Sequence, residues 1–432
     1  MLIAGVMQQD TIFAMASGAG RAAIAVMRVS GPRAEALLAA LAGGLPAPRR
    51  AVLRRLRDET GEVLDRALVL WLPGPSSYTG EDSAELHLHA SRAVIEAVAE
   101  ALVAQGGRPA EAGEFSRRAF LNGKMDLLEA EAIADLIAAE TRAQARQALR
   151  QMEGALSAVY HDWAGRLRAV LAHQEALIDF PDEDLPPEVE ARLLAEMAAL
   201  RAEMRAHLDD GRRGEKLREG LVFAVTGAPN VGKSSLVNAL AEREVAIVAA
   251  TPGTTRDALE TRIVLAGVPV TLVDTAGLRE TADPVEAEGV RRARARAAEA
   301  DFRVCVVVAG EGAGEAADLV VANKIDLGGA VPAGALGVSA RTGGGLDVLR
   351  AQLAEAARRL TQQSGPPPLT RARHRAALLA AMERLDGALA APWPELRAED
   401  LRLAMRALGR ITGVVGVEDI LDAIFSQFCI GK

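Results

Sequence analysis

GAPNVGKS, at residues 227–234, constrains the chain more than any other stretch. It fits the G-x-x-x-x-G-K-[ST] phosphate loop, which works only between a strand and a helix. LVFAVTG (221–227) before it reads as a strand, and SSLVNALAER (234–243) after it opens a helix. Gly227 and Gly232 permit the tight turns that aim backbone N–H groups at phosphate oxygens. Lys233 adds a positive charge there, and Ser234 offers a hydroxyl to Mg²⁺ at a helix N-terminus that favours anions. A chain carrying this loop must contain an α/β unit with a largely parallel sheet.

Three further motifs follow in order. Asp274-Thr275-Ala276-Gly277 ends the strand VPVTLVD; the Asp reaches the Mg²⁺ shell and Gly277 offers its N–H to a γ-phosphate. TPGTTRD (251–257) lies between and supplies Thr255 as a second hydroxyl for Mg²⁺. Asn323-Lys324-Ile325-Asp326 follows the apolar run LVVA, and Ser339-Ala340-Arg341 completes the set, with the Ala340 N–H expected at the guanine O6. An Asp in this position accepts from guanine N1–H and the 2-amino group. Adenine has neither donor, so the carboxylate would be left unpaired, a discrimination on the order of 10⁴. The set therefore predicts GTP as the nucleotide. Leu278 stands where some GTPases place a Gln that orients the attacking water, so that task falls elsewhere. Asn230 has two readings: a cap on the turn, or a ligand for a monovalent cation beside the β/γ bridge.

Around this unit the chain changes texture. Residues 1–120 mix short strands (22–31, 67–74, 84–90) with a helix over 92–107, and read as an α+β domain. From Met125 to Phe180 an Ala/Leu-rich pattern without proline predicts one long helix, broken by PDEDLPP (181–187) before a further helix to about His207. Helix returns over 371–428 after the linker QQSGPPPLT. Long helices on both sides predict that the α/β unit is inserted into a helical domain. The expected limits are 1–120, 121–216 (helical, first part), 217–362 (nucleotide-binding) and 363–432 (helical, second part).

Acids outnumber bases 58 to 50, so any nucleic-acid-binding face must be local. Arg291, Arg292, Arg294 and Arg296 form one such cluster, or else a solvated helix. Two cysteines, Cys305 and Cys429, cannot make a disulfide framework or a four-thiolate zinc site, and point to the cytoplasm. Cys305 lies in an apolar strand and reads as core. His87 and His89 alternate with leucines and read as structural. No run approaches the roughly 20 apolar residues of a membrane span.

GAPNVGKSSLVNAL, TPGTTRD, DTAGLRET and NKID, with RPAEAGEFSRRAFLNGKMDLLEAEAIADLI (108–137), IDFPDED (178–184), VMRVSG (26–31), PGPSSYTGEDSAEL (73–86) and the terminal FCIGK, resemble the MnmE (TrmE) family over essentially the whole chain. The resemblance implies a multidomain α/β plus all-α protein: an N-terminal α+β folate-binding domain that dimerises, a discontinuous helical domain, and an inserted P-loop α/β GTPase domain. It implies a homodimeric, potassium-stimulated GTPase of the cytoplasm. With a flavoprotein partner, MnmG (GidA), in a heterotetramer-type complex, such an enzyme modifies carbon 5 of the tRNA wobble uridine. The one-carbon unit comes from a tetrahydrofolate derivative, 5-formyl or 5,10-methylene.

Carried over by residue, the resemblance implies a GTP site of Asn230, Val231, Gly232, Lys233, Ser234, Ser235, Thr251, Thr254, Thr255, Asp274, Thr275, Ala276, Gly277, Asn323, Lys324, Asp326, Ser339 and Ala340. Ser234 and Thr255 would hold Mg²⁺. Asn230, Ala249, Thr251 and Thr254 would hold K⁺, which favours the cation reading of Asn230. Glu286 would act through water on the nucleophile, against a bland reading as a helix-surface acid. Arg28, Glu85, Lys124 and Lys432 match the folate positions; without the family Arg28 and Lys124 read as surface charges and Lys432 as a solvated tail. Cys429 matches a functional cysteine, a nucleophile or a holder of substrate, against a small buried hydrophobe. Bringing the tail to the folate residues is expected most simply across a dimer. The chain departs from the family in a short stretch between Asp274 and Asn323, and in Ala309 where many relatives carry an acid. A regulatory GTPase of the Era or Der type is the alternative, but the KH domain or second GTPase domain it needs is not found. A scaffold for the flavoprotein would leave the phosphate loop without purpose.

Overall fold

A computed structural model of the chain describes residues 10–18, 20, 22–179, 187–243, 260–274, 291, 295, 297–311, 315–362, 366–415 and 418–431. They form two compact units. The first joins 1–134, 152–171 and 401–432; the second joins 135–151 and 172–400.

The first unit opens with β1 (Thr11–Met15), β2 (Ile24–Ser30), α1 (Ala34–Ala42), β3 (Val52–Arg57), β4 (Val63–Leu72), β5 (Ser83–His89), α2 (Arg92–Ala104) and β6 (Gly107–Pro109). The sheet runs β3-β4-β5-β2-β1-β6, antiparallel except for the β1–β6 pair. Side chains alternate between its faces, as strand geometry requires. Met27, Val29, Val69, Trp71, Leu86 and Leu88 point to one face, where Leu37, Leu38 and Leu41 of α1 and Val98 and Leu102 of α2 cover them. The α+β expectation holds. Strands β1, β3 and β6 were not foreseen. TIFAM and GRP are short, and VLRRLR is half arginine with no clean apolar–polar alternation, which masks its strand character.

Helices follow: α3 (Glu114–Leu121), α4 (Leu127–Ala138), α5 (Arg142–Met152), α6 (Ala155–Asp179) and α7 (Pro187–Leu208). The single long helix expected from Met125 is in fact three. Thr141 and Gln144 form the first break. The Gln144 Oε1 accepts from the Thr141 N–H at 3.1 Å, while the Thr141 Oγ1 accepts from the Gln144 N–H at 3.3 Å. This reciprocal capping box starts a new helix at Arg142. Glu153-Gly154 makes the second break.

The second unit carries α8 (Arg213–Glu219), β7 (Leu221–Thr226), α9 (Lys233–Arg243), β8 (Glu260–Leu265), β9 (Val268–Asp274), β10 (Phe302–Val308), β11 (Leu319–Asn323), β12 (Leu336–Gly337) and α10 (Leu346–Thr361). The sheet order is β12-β11-β10-β7-β9-β8, parallel except for β8 on β9. Successive strands leave β7 in opposite directions, which opens a crevice at the carboxyl end of β7 where such sheets bind ligands. Phe223, Val225, Val270, Leu272, Val304 and Val306 fill the core with Leu236 of α9 and Leu349 and Leu353 of α10.

After the sheet come α11 (Ala372–Ala390), α12 (Pro394–Thr412) and α13 (Glu418–Phe425). Helix α7 packs along α11. Leu193, Met197, Leu200 and Met204 are buried on one, and Leu378, Ala381, Leu385 and Ala388 on the other, at the spacing of one helical face. Helix α13 returns to the first unit, where Phe425 and Phe428 cluster with Phe120 and Leu127.

Candidate functional site

The loop from β7 to α9 lies in the β7 crevice, and its shape needs glycine at two places. Gly227 has φ +134°, and a Cβ there would collide with the Val306 carbonyl of β10. Gly232 has φ +95°, and a Cβ there would collide with the Asn323 side-chain nitrogen. Lys233 is buried, its Nζ donating to the Gly227 carbonyl at 2.7 Å and the Ala228 carbonyl at 2.8 Å. The Ser234 hydroxyl donates to the Asp274 Oδ2, so the hydroxyl of α9 and the carboxylate ending β9 converge. Val231 is buried beneath the loop; Asn230 and Ser235 are exposed.

Asn323 ties three segments together. Its Nδ2 donates to the Val231 carbonyl at 3.0 Å, and its Oδ1 accepts the Ala340 N–H at 3.1 Å. The Ala340 N–H expected at the guanine O6 is thus engaged by Asn323, because the buried Asn oxygen needs a donor. Lys324 has φ +64° and donates from Nζ to the Asn230 carbonyl at 2.7 Å. Asp326 receives the Ser339 hydroxyl at 2.6 Å and the Arg341 guanidinium at 2.7 Å. The Ser339 hydroxyl, with Arg341 behind it, holds the Asp326 carboxyl below its ordinary value. The ion pair of Arg341 was not foreseen; a cation just after Ser339-Ala340 was the available signal. Ala249, Thr251, Thr254, Thr255, Thr275, Ala276, Gly277, Leu278 and Glu286 lie outside the described residues, as do Arg292, Arg294 and Arg296.

In the first unit Arg28 of β2 stands opposite Glu85 of β5, and the two pair at 3.0 Å. The Arg28 guanidinium lies 5.2 Å from the Tyr78 ring and 5.8 Å from the Phe115 ring, within cation–π range. Tyr78 in turn shares a hydrogen bond with Ser116 of α3 at 2.8 Å. Lys124 donates to the Pro75 carbonyl at 2.9 Å, on the same loop as Tyr78. Sequence reasoning missed Tyr78 and Phe115, although both lie in the segments that carry the resemblance. Beneath this loop Arg118, 1% exposed, binds Glu81, Asp10 and Glu114 together.

The tail returns to this same unit. Ile430 bridges to Ala112, and Gly431, at φ +97°, lies so close to the Met15 carbonyl that a Cβ would collide with it. Met15 pairs with Met27, the neighbour of Arg28. The tail thus reaches β1 of its own chain, and the expected crossing to a second subunit is not what brings it there. Cys429 is exposed, which removes its reading as a buried hydrophobe; Cys305 is buried as expected. Lys432 lies outside the described residues. The His89 Nδ1 pairs with Asp65 at 2.7 Å, a structural contact. Among the described residues, no helix is long and apolar enough to cross a membrane.

A glycine-shaped loop between strand and helix, a buried lysine beneath it, and a carboxylate held where guanine specificity is read define a P-loop nucleotide-binding protein of the GTPase class. A family profile described as GTP-binding protein TrmE N-terminus matches residues 11–124, and one described as MnmE helical domain matches residues 127–429. The chain is 63% identical over 436 residues to the tRNA modification GTPase MnmE of Gluconacetobacter diazotrophicus, covering 98% of this chain and 99% of that protein. It is 57% identical over 440 residues to that of Granulibacter bethesdensis, covering 99% and 100%. The chain belongs to the MnmE family of tRNA modification GTPases.

Proposed function

We propose that this GTPase uses GTP hydrolysis to drive modification of carbon 5 of the tRNA wobble uridine, as a homodimer working with a flavoprotein of the MnmG type. The observation that carries the nucleotide half is Asp326, oriented by Ser339 and Arg341 beside a loop bolted by Asn323. Residues 217–362 are read as the GTPase domain, inserted between helical parts 121–216 and 363–432, with residues 1–120 as the folate-binding domain.

The residues present fit Mg²⁺, since the Ser234 hydroxyl and the Asp274 carboxylate already converge. Ser234 and Thr255 would hold the ion, which supplies charge against the phosphates. Asn230, with Ala249, Thr251 and Thr254, would hold K⁺. Lys233 offsets charge on the β/γ phosphates, and Glu286 would align the attacking water through a second water, since Leu278 cannot. In the N-terminal domain, Arg28 and Glu85 beside Tyr78 and Phe115 suit a folate. Such a ligand offers a flat ring with amide-like donors and an anionic glutamate tail, and Lys124 and Lys432 add charge for the latter. Exposure of Cys429 supports an accessible thiol rather than a core one.

The deciding experiment is nucleoside analysis of wobble uridines from cells lacking the protein. Loss of the carbon-5 modification, restored by the native chain but not by Lys233→Ala, is the expected result. Intact modification in the deleted strain would overturn the reading.

A further inference from the structure

The β3–β4 hairpin carries arginines that nothing described so far uses. The stretch Arg49 to Arg57 includes Arg50, Arg54 and Arg55, and Arg66 stands directly opposite Arg55 across the hairpin. Arg50, Arg55 and Arg66 are exposed. Among the described residues none of the three has an acidic partner. The nearby acids are otherwise engaged or lie at the tip: Asp58 accepts from Thr60 and Glu62, and Asp65 from His89, while Glu59 and Glu62 are on the turn.

Edge strands often carry cations to prevent edge-to-edge pairing, and that accounts for arginines along β3. It does not account for Arg66, which is on the interior strand β4. Like charges directly opposite one another on a sheet face are destabilising, so the Arg55–Arg66 pair is a local cost. Arg49 adds to it, being held at φ +60°, with its guanidinium fixed to the Ser76 carbonyl. Side chains alternate along β3, so Arg54 lies on the other face, and the outer strip is Arg55 and Arg57 of β3 with Arg66 of β4, with Arg49 and Arg50 just before the strand. All this sits in a protein of net charge −8, where an uncompensated cationic strip is local and conspicuous.

We propose that this strip, centred on Arg55 and Arg66, is where the chain takes hold of the tRNA phosphate backbone. The inference rests on the tRNA-modifying function proposed above. Guanidinium groups suit phosphate oxygens in geometry and charge, and a phosphate between Arg55 and Arg66 removes their repulsion. The contact is sequence-independent: it holds and orients the RNA while other groups recognise the base. The exposed Leu53 and Leu68, paired in the next row of the same face, give the strip an apolar border.

The test is tRNA binding by the full-length protein, followed by fluorescence anisotropy across 50–200 mM potassium chloride. Arg55→Glu/Arg66→Glu should bind tRNA about tenfold more weakly or worse, and its log–log salt slope should shrink by about 2, roughly one unit per lost phosphate contact. Arg55→Lys/Arg66→Lys should keep most of the slope. Basal GTP hydrolysis should be unchanged in both variants, and unchanged near-ultraviolet signals and thermal unfolding of the first unit report an intact fold there. An unchanged slope in the Glu variant, with native tRNA binding by the parent, would overturn this placement alone. So would a change in subunit number by light scattering without a change in slope, which would give the face to a second copy of the chain. A parent protein that binds no tRNA would overturn both this inference and the proposed function.

Discussion

Gly232 holds the nucleotide loop against Asn323 with no room to spare. Any side chain there must displace the amide that bonds the Val231 carbonyl, and must also adopt φ +95°. Gly232→Ala is therefore expected to weaken GTP binding at least about tenfold, since strain at such positions costs of order 1–3 kcal/mol. Titration with a fluorescent GTP analogue measures it; native affinity would show that the Asn323 contact is dispensable. Asp326→Asn should shift preference from guanosine toward xanthosine nucleotides, because an amide can donate to the xanthine C2 carbonyl. Competition between GTP and XTP for hydrolysis is the readout, and unchanged preference would remove Asp326 from base recognition. At this scale the sequence was legible where residue type alone sets chemistry: Lys233, Ser234, Asp274, Asn323 and Asp326 sit where motif spacing put them. It was not legible where a backbone group has two suitors, and so the Ala340 N–H went to Asn323.

At the scale of elements, what decides is local pairing that periodicity overlooks. The Ala/Leu pattern from Met125 is helical throughout, yet Thr141 and Gln144 restart the helix because their side chains satisfy orphan N–H groups. Strand β3 hid for the opposite reason, since arginine on its outer face made a true strand look polar. The Arg118 cluster shows a third case. Burial pushes the Asp10 and Glu114 carboxyls up, but donors from Arg108 and Arg118 outweigh it and hold both below the ordinary range. A carboxyl depressed in the folded state stabilises fully above its unfolded value, near 4, and loses that stabilisation as pH falls through the folded one. The first unit should therefore hold its stability from pH 7 to about 5 and lose it below about 4. Glu114→Gln should flatten part of that loss and destabilise by about 2 kcal/mol at pH 7. Urea unfolding at a series of pH values, read by near-ultraviolet signals to which the buried Trp71 and Trp163 of the first unit contribute, tests this; an acid limb unchanged in Glu114→Gln would show that the cluster does not set it.

Over the whole molecule, the chain begins and ends in the same compact unit, with the nucleotide-binding sheet in the other. The sequence marked an inserted unit through helices on either side of it. It carried no physical sign of where the tail docks, because FCIGK finds its place through contacts distant in sequence. Phe428 is buried with Phe425, Phe120 and Leu127, and Ile430 and Gly431 lie along Ala112 and Met15. Deleting residues 428–432 removes a buried aromatic ring and the short bridge beyond it. The loss should be about 3 kcal/mol or more, as for truncating a buried Phe. It should fall on the first unit and leave GTP affinity in the second unchanged. Docking within one chain makes a further demand. The destabilisation should be the same at high and low protein concentration, whereas a tail reaching a partner would matter only where dimers form. Thermal unfolding of native and truncated protein across a hundredfold range of concentration separates the two. A truncation whose effect disappears on dilution would return the tail to the dimer, and would take Cys429 with it.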